Sequence, residues 1–158
     1  MADKAGKTAD IYGVTLFGPS TGPLGDRPPH PDDNYAKNIR DLHAAFDLEM
    51  PVMIVGDSTC NPVHDLIDLI PPFDAIFVDA SHEYAMVSND LLFYTKHIKP
   101  GGYLICDDAA NGLKQPFGFF QGIEDVTKAV NTVILTDSQW EHKITVCHDR
   151  LFQKVNND

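Results

Sequence analysis

The sequence predicts an α/β fold built on a mostly parallel sheet, with an antiparallel hairpin at the C-terminal end. Three observations carry this expectation. The apolar runs in PVMIV (51–55), FDAIFV (73–78) and YLIC (103–106) are continuous rather than alternating, as in strands covered on both faces. Between them, apolar residues recur at helical spacings. Strand and helix signals therefore alternate along the chain, the order that a parallel sheet requires.

Taken in order, Ile11 to Phe17 (IYGVTLF) reads as a short strand ended by Gly18 and Pro19. Residues 18–33 hold five Pro and three Gly, so this stretch is loop. Tyr35, Ile39, Leu42 and Phe46 then fall on one helical face, with Asp32 and Asp33 suited to its N-cap and positive dipole end. PVMIVGDS (51–58) is a strand, Val63 to Ile70 a short helix stopped by Pro71–Pro72, and FDAIFVDAS (73–81) another strand. A helix follows from about Glu83 to Ile98, capped by Ser81, before Pro100–Gly101–Gly102 turns the chain into YLICDD (103–108). Ile123, Val126 and Val130 mark a last helix. TVILTDSQW and KITVCHD then read as a hairpin turning at Glu141–His142.

Composition narrows the function classes. With 158 residues, 43% of them apolar, the chain is long enough for one domain with a real core. That domain is expected to span residues 11–155 after a polar tail, 1–10. No apolar run approaches the roughly 20 residues of a membrane span, and the first ten residues lack the apolar stretch of a signal peptide. Cys60, Cys106 and Cys147 are odd in number and form no CxxC pair, which argues against a disulfide framework or structural zinc and for a reducing, cytoplasmic setting. A formal charge of −11 argues against nucleic acid as a partner.

In parallel sheets, ligands bind beyond the carboxyl ends of the strands. Those ends carry Thr15, Asp57–Ser58, Asp79–Ala80–Ser81–His82 and Asp107–Asp108. Asp79, Asp107 and Asp108 come from two neighbouring strands, with Asn111 a few residues on. Carboxylates brought that close repel one another unless a pKa rises or a cation binds. Oxygen donors suit Mg²⁺, Ca²⁺ or Mn²⁺ rather than zinc. His82, three residues past Asp79, suits a general base. The plainer reading has Asp107 or Asp108 capping a turn and His82 in a solvated loop.

Other features carry less. GPSTGPLG lacks the following helix that a phosphate cradle needs. Phe117, Phe119 and Phe120 either line a substrate pocket or pack as the foot of a lid. Cys106 reads as an inert core residue. Cys60 with His64 completes no nucleophile arrangement, and His43 and His97 read as structural or solvated.

The stretch from Phe73 to Asp108 also resembles a known family. An acidic strand end followed by Ser81–His82 and Tyr84, the turn Lys99–Pro100–Gly101–Gly102, and the strand end Asp107–Asp108 resemble class I S-adenosylmethionine-dependent methyltransferases. The branch they resemble contains macrocin O-methyltransferase and cephalosporin-hydroxylase-like proteins, and the likeness extends over roughly residues 11–149. It implies a Rossmann-like methyltransferase sheet. Relative to the family, that sheet is truncated at its N-terminus, lacking the first strand and its glycine-rich turn. The IYGVTLF and FDAIFVDAS strands are then expected to pair directly.

The implied activity is Mg²⁺-assisted O-methylation of a hydroxyl on a small molecule or sugar. S-adenosylmethionine would be held by Thr15, Asp57, Ser58 and Asp79, the ion by Asp79, Asp107 and Asp108, and the substrate proton would pass to His82. The alternatives are a non-catalytic, methyltransferase-derived subunit that docks on a partner chain, or a fragment completed by another polypeptide. A homo- or hetero-oligomer would in those cases complete the sheet.

Overall fold

A computed structural model of the chain describes residues 9–15, 35–113 and 120–155. The expectations for the 18–33 loop, for Asp32 and Asp33 as caps and for Phe117 and Phe119 lie outside the described residues. The chain divides into two compact units, Met1–Val63 and His64–Asp158.

The first unit contains β1 (Tyr12–Thr15), α1 (Tyr35–Ala45) and β2 (Val52–Val55). β1 and β2 pair in parallel, Tyr12 opposite Val52 and Thr15 opposite Val55. The ladder continues one step, because Gly56 N–H donates to Thr15 O at 2.9 Å. On α1, His43 Nδ1 lies 2.7 Å from Glu49 O, consistent with a structural histidine. α2 (Asn61–Ile67) follows, with Val63 and Ile67 buried.

The second unit is built on a four-stranded sheet ordered β3 (Phe73–Val78), β4 (Ile98–Cys106), β6 (Asp149–Lys154), β5 (Trp140–Val146). β3 and β4 are parallel, and β6 runs antiparallel to both β4 and β5. α3 (Tyr84–Tyr94) and α4 (Glu124–Val133) cover one face. Val87, Leu91, Val126, Ala129 and Val130 from these helices pack against Leu104, Cys106 and Phe152 of the sheet. That packing explains why Cys106 is inert: burial pushes its thiol up to about 12.

Several expectations are corrected. The helix predicted to reach Ile98 ends at Tyr94, gives one 3₁₀ turn at Thr95–His97, and Ile98 already belongs to β4. Ser81 is not the N-cap; its Oγ accepts from Glu83 N–H at 3.2 Å in the turn before the helix. Pro100–Gly101–Gly102 does not precede the strand but bulges within it. Phe73 faces Ile98 and Ala75 faces Tyr103, so four β4 residues are accommodated opposite one of β3. A Cβ on Gly102 would stand 2.9 Å from the carbonyl oxygens of Asp74 and Lys99, which only glycine avoids.

The hairpin is real but shifted. TVIL closes α4, where Ile134 is buried at the helical spacing from Val126 and Val130. The turn lies at Cys147–His148, with Cys147 at φ 54°. β1 and β3 do not pair with each other among the described residues: β1 pairs with β2 and β3 with β4. Nor is every apolar strand covered on both faces, since Phe77 and Ile144 remain 56% and 50% exposed. No helix among the described residues is long and apolar enough to cross a membrane.

Candidate metal and acid–base site

Register explains why acidic residues meet on the second unit. Phe77 pairs with Ile105, Ile105 with Leu151, and Leu151 with Ile144. One pleat further, the same register brings Asp79, Asp107 and Asp149 side by side at the strand ends. Asp107 N–H donates to Val78 O at 3.1 Å, so the β3–β4 ladder extends into this row. Side chains two residues apart share a face. Beyond the strand ends the chain turns, and Asp79 and Asp107 line a cleft with Val87 and Leu91 of α3 and Val126 of α4.

The carboxylates couple. Burial pushes Asp149 up to about 6, assisted by a hydrogen bond to Asp107 and by the Asp107 charge. Asp79 is raised first by burial and then by the charge of Asp107. Asp108 is raised by burial and by the same neighbour. For Asp107, burial also acts upward. Hydrogen bonds from Asp149 and Asp79, the Asp108 amide and the nearby His148 outweigh it and hold the group below the usual carboxylate range. Asp107 is thus the easiest of the four to ionise, and each neighbour is harder to ionise than an ordinary carboxyl.

Two imidazoles border the row. His82 Nε2 stands 3.3 Å from Asp108 Oδ2, and His148 Nε2 stands 3.2 Å from Asp107 Oδ1. Asp108 is reached through a left-handed backbone, φ 53°. Its carbonyl accepts from Ile123 N–H at 2.8 Å, and Ala109 N–H donates to His148 O at 2.8 Å. These bonds tie the β4 end to the turn before α4 and to the β5–β6 turn. Asn111 is not a member of the cluster. Its amide N–H donates to Thr127 Oγ1 at 2.9 Å and its Nδ2 to Gly122 O at 3.3 Å, fastening the loop instead.

One ligand atom from each of Asp107, Asp108 and His148 fits within 4.8 Å of the others. Atoms on opposite sides of one hard cation stand about 4–5 Å apart, given bond lengths of roughly 2.0–2.6 Å. The donor set therefore fits a divalent cation, which would also offset the repulsion that adds to burial in raising Asp79, Asp108 and Asp149. Asp79, His82, Asp107 and Asp108 also line a cleft of about 10 Å³, room for one water-sized sphere.

Of the residues singled out from sequence, Asp79, His82, Asp107 and Asp108 come together here. Thr15, Asp57 and Ser58 belong to the first unit, at the carboxyl ends of β1 and β2. Asp57 Oδ1 accepts from Thr59 N–H at 2.9 Å and Thr59 Oγ1 at 2.7 Å, a turn that leads into α2. His148 and Asp149 were missed. Placing the hairpin turn at Glu141–His142 put both residues at the far end of a strand rather than at the rim.

Comparison with known proteins agrees with this architecture. The profile of a family described as "Methyltransferase domain" matches residues 4–109. The uncharacterized protein R132 of Acanthamoeba polyphaga mimivirus is 36% identical over 47 residues, 29% of this chain and 21% of that protein. The O-methyltransferase NovP is 14% identical at a TM-score of 0.64, covering 98% of this chain and 64% of NovP. CalS11, a TDP-rhamnose 3′-O-methyltransferase of calicheamicin biosynthesis, is 15% identical at a TM-score of 0.59, covering 91% of this chain and 58% of CalS11. MycE of the mycinamycin pathway, solved with Mg, SAH and mycinamycin VI, is 17% identical at a TM-score of 0.55, covering 94% and 46%. At these identities the likeness is one of fold. The chain spans about half to two thirds of the length of these structures and about a fifth of the viral protein.

Proposed function

Since this chain belongs to the methyltransferase-domain family, we propose that it takes part in S-adenosylmethionine-dependent, divalent-cation-assisted methylation of a hydroxyl on a small molecule or sugar. The observation that carries the reading is geometric: Asp79, His82, Asp107 and Asp108 line one cleft, with His82 Nε2 3.3 Å from Asp108 and ligand atoms of Asp107, Asp108 and His148 within 4.8 Å of one another. CalS11 methylates a nucleotide sugar and MycE was solved with Mg, which supports the substrate class and the ion.

In this reading Asp79, Asp107 and Asp108 hold the cation. When bound, it supplies Lewis acidity that lowers the pKa of an acceptor hydroxyl. S-adenosylmethionine supplies a methyl group on a sulfonium, already a strong donor. His82 takes the hydroxyl proton. Its Nε2 faces Asp108 Oδ2, which favours a proton on that nitrogen and leaves Nδ1 as the basic one. Asp108 then steadies the imidazolium that forms, and Asp79, at the end of β3, sets the first edge of the site. Thr15, Asp57 and Ser58 are assigned to the cofactor on their own unit, Thr15 through a neutral hydroxyl that offers one hydrogen bond rather than a bidentate pair.

The test is calorimetric titration of the purified chain with S-adenosylmethionine, with and without Mg²⁺, followed by a methyl-transfer assay on sugar hydroxyls. Binding that strengthens with the ion, and turnover, are expected. Absence of binding under both conditions overturns the reading. β3 lies at the border of its sheet with Phe77 half exposed, which favours a second reading as a subunit docked on a partner chain. A stable hetero- or homo-oligomer that ignores the cofactor would identify that case.

A further inference from the structure

We propose that His148 is a nitrogen ligand of the cation and tunes the site toward Mn²⁺ over Mg²⁺. This rests on the metal-assisted reading above and adds a residue and an ion preference to it.

The argument begins with how the side chain is held. His148 occupies the two-residue turn between β5 and β6, where Cys147 takes the left-handed conformation at φ 54°. Its carbonyl accepts from Ala109 N–H, one residue beyond Asp108. The Phe120 ring stands 5.5 Å from its imidazole. The backbone of the turn is thus fastened to the strand end that carries the acids, and the ring is flanked by an aromatic neighbour.

Position and chemistry then select the role. Nε2 lies 3.2 Å from Asp107 Oδ1 and 4.0 Å from Asp149 Oδ1, on the acidic row itself. His82 is directed to Asp108 Oδ2 and stays outside the three-residue group whose donor atoms close around one point. Mg²⁺ favours oxygen donors and retains its waters, whereas imidazole adds affinity for first-row transition ions, of which Mn²⁺ shares with Mg²⁺ a preference for carboxylates. Adding the imidazole of His148 to the carboxylates of Asp79, Asp107 and Asp108 therefore makes a mixed donor set better matched to Mn²⁺. The simpler role for His148, an ion pair that only offsets the charge of Asp107, makes a different prediction.

The experiment strips the full chain with EDTA and titrates Mn²⁺ and Mg²⁺ separately. Free Mn²⁺ is read by its paramagnetic resonance signal, and bound Mn²⁺ by pulsed measurement of ¹⁴N coupling. The native chain is expected to bind Mn²⁺ at least about tenfold more tightly than Mg²⁺ and to show nitrogen coupling. His148→Ala should lose about tenfold in Mn²⁺ affinity, change little toward Mg²⁺, and lose the coupling. His148→Gln, closer in size, serves if the alanine variant does not fold.

Nitrogen coupling that persists in both variants, or vanishes only in His82→Ala, overturns the proposal. Equal losses for both ions assign His148 to charge balance and overturn it too. Native chain that binds neither ion overturns both this inference and the metal part of the proposed function. Ion binding with an unchanged Mn²⁺ to Mg²⁺ ratio in the variants overturns this inference alone.

Discussion

Asp149 at the start of β6 and Asp107 at the end of β4 are hydrogen-bonded to each other and are shifted in opposite directions. The first is pushed up to about 6 and the second is held below the usual carboxylate range, two halves of one hydrogen bond between facing strands. The asymmetry makes Asp107 ionise before Asp149 as pH rises. It also makes the folded state answer to pH.

Without a divalent ion, the chain should be more stable at pH 5 than at pH 8. A carboxyl whose folded pKa is raised contributes no penalty below its unfolded value and a growing one as pH rises through the folded value. For Asp149 that window runs from the ordinary 3.8 to about 6, and Asp79 and Asp108 act in the same direction. Asp107 acts oppositely, with a loss confined to more acid conditions. Thermal unfolding in EDTA should show Tm falling from pH 5 to pH 8, and millimolar Mn²⁺ or Mg²⁺ should restore it at pH 8. A flat profile would contradict the coupling.

Asp149→Asn removes one charge and keeps the shape of the row. In EDTA at pH 8 the variant should melt higher than the native chain, whereas its divalent-ion affinity should fall severalfold. Opposite signs in the two measurements are the signature of a carboxylate strained for the sake of an ion. A parallel loss of both would make Asp149 a purely structural residue.

His82→Gln should lower methyl transfer by about 10²- to 10⁴-fold, the usual contribution of a general base. Cofactor and ion affinity should stay within about twofold, because His82 is not among the assigned ion ligands, Asp79, Asp107, Asp108 and His148. Comparing turnover with titration separates these effects.

Gly122→Ala should cost about 1–3 kcal/mol in denaturant unfolding and weaken the ion site. Gly122 sits at φ 98°, and an added Cβ would meet Asp108 O at 2.2 Å. The displaced group is the backbone of an assigned ligand, so stability and ion affinity fall together.

Arg150 and Asn131 offer a test away from the site. Arg150 is 3% exposed; its Nη1 donates to Asn131 Oδ1 at 2.8 Å, its guanidinium lies 5.0 Å from the Phe152 ring, and its Nε meets no acceptor among the described residues. Replacing a buried charge by an apolar side chain of similar reach is often neutral, whereas removing its partner is not. Arg150→Met should stay within about 1 kcal/mol of native stability, and Asn131→Ala should lose about 1–3 kcal/mol.

Much of this was legible in the residues. The α/β alternation, Cys106 as core and the meeting of Asp79 with Asp107 and Asp108 all follow from where apolar runs end in acids. What was hidden is register. The β-branched run TVIL reads as a strand, yet Val133 and Ile134 continue the apolar face of α4, and tertiary packing overrides local preference. The true turn holds a cysteine with positive φ, where sequence rules look for Gly or Asn. A shift of the turn by about six residues moved His148 and Asp149 from the far end of a strand to the rim, so one residue of the donor set, His148, stayed out of view. The exposed Phe77 and Ile144 were equally unreadable, because a continuous apolar run says nothing of what covers its second face.

The bridge between Ala109 and Gly122 has a practical consequence. It clamps the two feet of an intervening segment together immediately beside Asp108, like a staple at the neck of a purse. Among the described residues, that segment touches the rim directly, Phe120 against the His148 ring and Asn111 on Gly122 O. Substitutions at either foot, Asn111 or Phe120, are therefore transmitted to the residues that border Asp107 and Asp108 rather than absorbed within the segment.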